Sequence, residues 1–282
     1  MSVDVSPFEV ARAADAQALR TVGIARLKVE RIAGRTVAME IDEQGPLRLR
    51  FPRVAEEGVL ECVMVNTGGG VVGGDKLEFE IETGEGASLA LTSQASEKVY
   101  RSSGADAEIS VALTAQPRSR LAWLPQEAIL FDRARIARRI EADVAGNASL
   151  TICESVVFGR TAMGESVVNG SIRDRWRVRR DGKLIFADAL TLDGEVGKIL
   201  AGPAIAGGAT AVGTLLQIAP DCEQRLDAVR AALVQEDAEA GASTFDGIFV
   251  VRILAQDSLG IRAAILSTLT ALGSEPPRAF SL

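Results

Sequence analysis

The sequence predicts a mainly β protein, with many short strands in a single β-rich body and two α-helices near the C-terminus. Through the first three-quarters of the 282 residues, apolar and polar residues alternate in short segments that end at Gly, Pro or Asp. A period of two is typical of strands with one buried face. Beyond residue 220 the apolar spacing changes to the spacing of helices.

The first strands are indicated by their alternation. In residues 25–32, Leu27 and Val29 alternate with Lys28 and Glu30. One face of this strand is therefore expected to be buried and the other to face water. The same pattern recurs at residues 47–51, 87–92 and 107–114.

The later strands are joined by short turns. Ile140, Ala142 and Val144 share one side of a strand that a Gly-Asn turn follows, and an Asp-Gly turn follows another strand further on. The strands around these turns span residues 138–144, 150–158, 171–180 and 184–187. Together they predict a long meander or a stacked coil, without a fixed repeat period.

Two helices are predicted near the C-terminus. The first begins at Asp221, a capping residue with Gln224 three positions on, and ends at about residue 239. The second begins after Asp257 and stops at Gly273. Their apolar stripes are Leu226, Val229 and Leu233 in the first helix, and Ile261, Ala264, Ile265, Leu269 and Leu272 in the second.

The domain organisation follows from this order of elements. A buried strand at residues 248–254 is expected to connect the helices to the β body. We therefore treat residues 1–282 as one domain. Residues 1–20 are expected to be flexible, and residues 221–273 are expected to form a helix-strand-helix region that docks a partner.

The densest glycine segment lies at residues 66–75, between an apolar run and the alternating strand at residues 76–83. It lacks the Gly-Lys-Ser/Thr of a Walker loop, and no helix follows it as in a dinucleotide fingerprint. The pattern favours a tight turn or bulge between two strands, with Asp75 at its exit. A nucleotide-binding loop remains an alternative.

Composition narrows the class of protein. No apolar run approaches the roughly 20 residues of a membrane span. A net charge of −7 disfavours nucleic-acid binding. The N-terminus has neither a signal peptide nor a transit peptide, so a cytoplasmic location is expected. The three cysteines fall in no CxxC pair and are expected to be reduced and mostly buried.

The chain has no histidine, which removes the commonest general base and the commonest transition-metal ligand. Any chemistry would have to use carboxylates, Lys, Cys or Tyr. Glu127 and Asp132 flank an apolar patch, and Glu154 and Glu165 lie near one another in the sequence. Such carboxylates are either paired with arginine or available for acid-base or metal chemistry. A carbohydrate-active β protein is the enzymatic alternative, but an aromatic content of 4% leaves few platforms for sugars.

Four motifs together resemble one family. They are the glycine segment ending at Asp75 and the segments at residues 96–101, 123–127 and 157–165. Their order and spacing are similar to those of UreD, also called UreH, the urease accessory protein family. The resemblance extends from about residue 25 to the last helix. It implies a β-rich fold with two helices toward the C-terminus.

The resemblance also implies a function. The chain would not be an enzyme. It would be a scaffold that helps to load nickel into urease, acting with UreF, the GTPase UreG and the urease apoprotein. A homodimer within that complex is one arrangement that the resemblance allows. No cofactor would be tightly bound, since nickel would only pass through, along an internal water-filled tunnel between UreF and urease.

Site residues follow from matching the motifs. A conduit should bind nickel weakly enough to release it, and scattered carboxylates, hydroxyls and waters suit this task. Arg160 is expected to hold a carboxylate in place rather than to touch the ion. Asn66 and Thr67 stand where many relatives have His or Pro, and Glu97 adds a carboxylate where a neutral residue is common. The expected tunnel-lining residues are Asp75, Ser96, Glu97, Glu127 and Glu154.

Overall fold

The computed structural model describes residues 20–52, 58–160, 163–234 and 236–280. The flexibility expected for residues 1–20 therefore lies outside the described residues, apart from Arg20. The described strands, in chain order, are β1 (Val22–Ile32), β2 (Arg35–Gln44), β3 (Leu47–Arg50), β4 (Leu60–Asn66), β5 (Lys76–Thr83), β6 (Ser88–Ser93), β7 (Glu97–Val99), β8 (Ala107–Ala115), β9 (Arg120–Leu124), β10 (Ala128–Leu130), β11 (Arg135–Val144), β12 (Ser149–Phe158), β13 (Gly170–Arg180), β14 (Lys183–Gly194), β15 (Ala211–Ile218), β16 (Glu239–Phe245) and β17 (Ile248–Ala255).

The strands form two sheets. Sheet A has the order β14-β13-β11-β8-β5-β1-β2, and sheet B has the order β16-β17-β15-β12-β9-β6-β4-β3. In sheet B, β10 also pairs with β12, and β7 pairs with β10. From β4 to β13 the chain alternates between the two sheets, and neighbouring strands within each sheet are mostly parallel. The mainly β prediction is confirmed, and the arrangement is a stacked coil rather than a meander.

The register of sheet A stacks apolar side chains in columns across the strands. Ala25 pairs with Phe79, Phe79 with Val111, Val111 with Ile140, and Ile140 with Trp176. All five side chains are buried, as the alternation of apolar and polar residues predicts for the inner face of a sheet. They belong to a large apolar core that includes residues of both sheets.

The described α-helices are α1 (Val196–Leu200), α2 (Leu226–Leu233) and α3 (Ser258–Ala271). The buried residues of α1 belong to the large core, and a second apolar cluster joins sheet B to α2 and α3. The predicted stripe of α3 is confirmed, since Ile261, Leu269 and Leu272 are all buried. Asp257 caps this helix by accepting a hydrogen bond from the Gly260 N–H at 2.9 Å. None of the helices in the described residues is long and apolar enough to cross a membrane.

The first predicted helix is wrong in its extent. A 3₁₀ turn spans Cys222–Arg225, α2 ends at Leu233, and the Asp221 side chain makes no capping hydrogen bond. The apolar stripe cannot continue, because the next positions on that face are Glu236 and Asp237. Residue 239 begins β16, which pairs with β17. Residues 221–273 therefore contain two strands between the helices instead of one, and their docking role stays a prediction.

Candidate functional site

The glycine segment is a tight connection between sheets B and A. Gly70 has φ +138°, and a Cβ there would lie 2.5 Å from Cε2 of Tyr100 and 2.6 Å from the carbonyl oxygen of Lys98. The backbone N–H groups of Val71 and Gly74 donate to carbonyl oxygens of the protein, each at 2.8 Å. Because these N–H groups are already used, the geometry favours the turn interpretation over a phosphate-binding loop.

Asp75 is buried at the exit of this segment. Its two carboxylate oxygens accept hydrogen bonds from the N–H groups of Thr21 and Val72, both at 2.9 Å. The side chain thereby ties the loop to the start of β1. It lines a shallow recess that shares Asn66 and Gly70 with the larger cavity beside it.

Ser96 and Glu127 lie together, as their motifs suggest. Ser96 Oγ donates to Glu127 Oε1 at 2.8 Å. Arg262, on α3, places Nη2 at 3.0 Å from each oxygen of the same carboxylate, and it also donates to Gln126 Oε1 at 3.0 Å. Glu127 is therefore a buried carboxylate held by an arginine, which was the structural alternative for this residue.

Glu97 is surrounded differently. Its carboxylate accepts from Asn66 Nδ2 at 3.2 and 3.1 Å, and no ion pair involves it among the described residues. Burial raises the pKa of Glu97 to about 7, although the hydrogen bonds from Asn66 and from the backbone of Lys98 oppose the shift. Removal from water favours the neutral form of a carboxyl group.

Glu154 lies at the centre of the molecule, on β12 and between the sheets. Arg138 of β11 bridges two buried carboxylates, Glu154 of sheet B and Asp174 of sheet A. Two indoles complete the cluster: Trp123 Nε1 donates to Glu154 at 2.8 Å, and Trp176 Nε1 donates to Asp174 at 3.0 Å. We call these five residues the central cluster.

Burial and the charges within the central cluster shift the pKa values of Glu154 and Arg138. Burial raises the pKa of Glu154 to about 7, against the opposing attraction of Arg138. Burial alone would lower the pKa of Arg138, but Asp174 and Glu154 outweigh it and raise that pKa above its ordinary value. Arg138 thus stays charged, whereas burial shifts its partner carboxyl toward the neutral form.

Two cavities meet at this cluster. The glycine-loop cavity, of about 190 Å³, is lined by Asn66, Ser96, Glu97 and Trp123. The far cavity, of about 470 Å³, is lined by Asp174, Asp188, Thr214, Glu239 and Arg252. Arg138 and Glu154 line both cavities. One buried ion pair therefore borders both cavities.

Arg160 lies at the surface. Its Nε donates to Glu165 Oε2 at 2.6 Å, and its guanidinium carbon lies 4.2 Å from the centre of the Phe131 ring. It lines neither the glycine-loop cavity nor the far cavity. The carboxylate of Asp132 accepts hydrogen bonds from the backbone N–H groups of Val168 and Asn169, at 2.8 and 3.0 Å.

The residues of the site that were missed at the level of sequence include Arg138, Asp174 and Arg262. A signal existed for two of them. Arg138 lies two residues before the inward-facing Ile140 and on the same face of β11. Asp174 lies two residues before the inward-facing Trp176 and on the same face of β13. A charged residue at a predicted buried position is expected to have a partner. The approach of Arg262 from α3 depends on helix docking, and nothing in the local pattern shows it.

No group of three or more His, Cys, Asp or Glu side chains is arranged to hold a metal ion within the ranges that the structure describes. The cysteines, Cys62, Cys153 and Cys222, are free and buried, as predicted. Burial raises the pKa of the Cys62 thiol to about 12, so this group stays a thiol at neutral pH.

The family is decided by comparison with known proteins. The family model of the UreD urease accessory protein matches residues 21–279. The chain belongs to the UreD family. A relative from Methylobacterium sp. (strain 4-46), named urease accessory protein UreD, is 49% identical over 87% of this chain and 89% of its own length. Another, from Rhodopseudomonas palustris (strain BisB18), is 44% identical over 97% of this chain and 99% of its own length.

Family membership confirms the resemblance that the motifs indicate, and it assigns the chain a role in urease maturation. A third relative, urease accessory protein UreD 3 of Bradyrhizobium sp. (strain BTAi1 / ATCC BAA-1182), is 47% identical over 92% of this chain and 93% of its own length. These UreD proteins are named as accessory proteins and not as enzymes. The chain accordingly has a non-enzymatic role in urease maturation, and the carbohydrate-active alternative is set aside.

Proposed function

We propose that this chain is a cytoplasmic scaffold that conducts nickel through its interior to the urease apoprotein, in a complex with UreF and the GTPase UreG. Nickel is a transient cargo in this proposal and not a resident cofactor. The feature that carries the proposal is the meeting of the glycine-loop cavity and the far cavity at Glu154 and Arg138. In this proposal, a cation that moves from one cavity to the other passes this pair.

The order of oxygen ligands supports a path. Ser96 and Glu97 line the glycine-loop cavity, Glu154 lies at the junction, and Asp188 and Glu239 line the far cavity. Glu127 joins this series through its hydrogen bond from Ser96. Oxygen donors spaced along a channel bind a divalent cation more weakly than a closed cage of imidazole or thiolate does. The spacing therefore suits transfer better than storage.

Asp75 has a different place in the proposal. Its carboxylate already accepts two backbone hydrogen bonds, and it lies in the recess outside the glycine-loop cavity. We propose it as a ligand at the entrance, where oxygens that are hydrogen-bonded to the backbone can still coordinate through a second lone pair. Arg160 is proposed to support the surface near residue 165 and not to line the path.

The docking proposal uses residues 221–273. The apolar stripes of α2 and α3 are already buried against sheet B, so a partner would contact the remaining faces. Val234 and Leu259 are exposed apolar residues in this region, at 80% and 76%. We propose that this side of the molecule contacts a partner of the maturation complex, for which UreF is the candidate.

The proposal is tested by co-expression of the full chain with UreF, UreG and the urease apoprotein in a host supplied with nickel. Glu154→Gln keeps the size of the side chain and removes its charge. We expect at least a roughly tenfold loss of urease activity, because a neutral amide binds a divalent cation poorly, while co-purification with UreF is retained. The measurements are urease activity and the nickel content of purified urease.

Glu80→Gln is the matched control, because Glu80 pairs with Arg26 on the solvent side of sheet A and lines neither cavity. We expect it to leave activation unchanged. Full activity of Glu154→Gln would reject the conduit, because the proposed path passes this residue. Loss of UreF from the purified complex would show instead that Glu154 is needed for assembly.

A further inference from the structure

The central cluster contains a cation in the middle of the proposed nickel path. Arg138 is 7% exposed and bridges Glu154 and Asp174, so a positive charge sits at the junction of the two cavities. Two carboxylates and one guanidinium leave the cluster with one negative charge when both carboxylates are ionised. A divalent cation that approaches Glu154 therefore meets an occupied ligand.

Arg138 is not fully satisfied in this position. Its two terminal nitrogens contact the carboxylates, but its Nε has no hydrogen-bond partner among the described residues. A buried donor without a partner is costly. The guanidinium is thus fixed by two ion pairs through its terminal nitrogens, but not by a hydrogen bond from Nε. One of its two carboxylate partners, Asp174, lies on the same sheet as Arg138.

Other carboxylates along the path are also held by arginine. Glu127 is paired with Arg262, and Asp188 is paired with Arg252 at 2.7 Å. Arg262 is 23% exposed and Arg252 is 50% exposed, whereas Arg138 is enclosed by both sheets. Electrostatic repulsion of a passing cation is strongest where water screens it least. Arg138 is therefore the position at which an internal cation would most affect transit.

We propose that Arg138 is a displaceable internal counter-ion: a nickel ion arriving at Glu154 takes the place of the guanidinium, which then remains paired with Asp174 alone. This inference rests on the proposed conduit function. The guanidinium returns to Glu154 when the ion moves on. Its charge keeps the two carboxylates from becoming a tight nickel site, so the ion passes the junction without being retained there.

The inference predicts that removing the charge of Arg138 turns the junction into a trap. In Arg138→Gln, two carboxylates face an incoming divalent cation without a competing positive charge. Equilibrium dialysis of the purified full chain against Ni²⁺ should show binding at least roughly tenfold tighter than in the wild type. In the co-expression assay, the same variant should lower urease activation because nickel is retained.

Three further variants identify the cause. Adding Glu154→Gln to Arg138→Gln should abolish the gain in nickel affinity. Arg138→Lys keeps the charge but cannot contact both carboxylates with a planar fork, so its affinity should lie between those of the wild type and Arg138→Gln. Arg26→Gln is the matched control, because Arg26 also bridges two carboxylates, Asp42 and Glu80, on the exposed face of sheet A. It should leave nickel affinity unchanged.

A folded Arg138→Gln chain, checked by circular dichroism, that binds Ni²⁺ no more tightly than the wild type would overturn the inference. If Arg138→Gln does not fold, Arg138→Lys decides alone, and an affinity equal to or weaker than that of the wild type rejects the counter-ion role. The two proposals fail separately. Full urease activation by Glu154→Gln rejects the conduit, whereas reduced activation by Glu154→Gln without tighter binding in Arg138→Gln rejects only the counter-ion.

Discussion

The two faces of sheet A carry the same ionic arrangement in opposite surroundings. On the outer face, Arg26 contacts Asp42 at 2.7 Å and Glu80 at 2.9 Å, and its side chain is 40% exposed. On the inner face, Arg138 bridges Glu154 and Asp174 with 7% exposure. The outer group is screened by water and salt and contributes little to stability. The inner group has lost its water and depends on its partners.

This difference bears on the role that we propose for the inner cluster. Burying three charged side chains costs more than filling the same space with apolar residues, and such replacements in other proteins are often neutral or stabilising. The same chain fills the layer between sheet B and the helices with side chains such as Leu215, Ile261 and Leu269. Stability alone therefore does not account for the charges between the sheets, and the proposed passage of an ion would account for them.

The largest expected effect comes from breaking the inner group. Arg138→Met should lower the free energy of unfolding by about 3–5 kcal/mol, because two carboxylates are left buried without their cation. Urea denaturation followed by circular dichroism measures this. The triple variant Arg138→Met, Glu154→Leu and Asp174→Leu should recover most of the loss. If the triple variant is as unstable as the single one, the cluster is needed for stability and the comparison fails.

A smaller effect is expected from Glu97, the inner carboxylate that is held by an amide. Its pKa is raised from 4.5 to about 7 in the folded chain. Between these two pH values the folded state binds more protons than the unfolded state, so stability falls as pH rises through this window. Glu97→Gln removes that dependence. In nickel-free buffer the variant should be about 1 kcal/mol more stable than the wild type at pH 8, a figure reduced for partial exposure, with no advantage at pH 4.5.

Urea midpoints measured at several pH values would check this. Glu78→Gln, on the outer face of β5, is the control and should leave the pH profile of the wild type unchanged. If the urea midpoint of Glu97→Gln changed with pH in the same way as that of the wild type, burial would not perturb the carboxyl group of Glu97.

The smallest effect is expected on the outer face. Arg26→Gln should leave the unfolding midpoint unchanged at physiological salt, because exposed ion pairs are screened there. At low ionic strength a small decrease should become visible. Thermal melts at two salt concentrations measure both. A loss as large as that of Arg138→Met would mean that the two faces of sheet A are not different in the way described.

Much of the fold could be predicted because alternation is local. The inward side chains of β5, Leu77, Phe79 and Ile81, are buried as their spacing predicts, and the Asp-Gly turn between β13 and β14 forms the expected hairpin. The short β16 and the early end of α2 were missed. β16 depends on pairing with β17, which local periodicity does not report. The end of α2, in contrast, could have been read from Glu236 and Asp237, which interrupt its apolar stripe.

The candidate site was predicted only in part. The motifs singled out Ser96, Glu97, Glu127 and Glu154, and the structure places these residues in or beside the glycine-loop cavity. Asp75 lies in a neighbouring recess, and Arg160 lies at the surface. Motifs name residues by their position along the chain. They do not say which of those residues share a cavity.

The sequence by itself determined the class of fold, the direction in which most strand residues point, the absence of histidine chemistry and the family. These properties follow from composition, motif order and a backbone period of two residues. Only the tertiary structure decided that Glu154 meets Arg138 and Asp174. Glu154 and Asp174 lie 16 and 36 residues after Arg138 along the chain. They come together because the coil stacks β11 beside β13 in one sheet and sets β12 opposite them in the other.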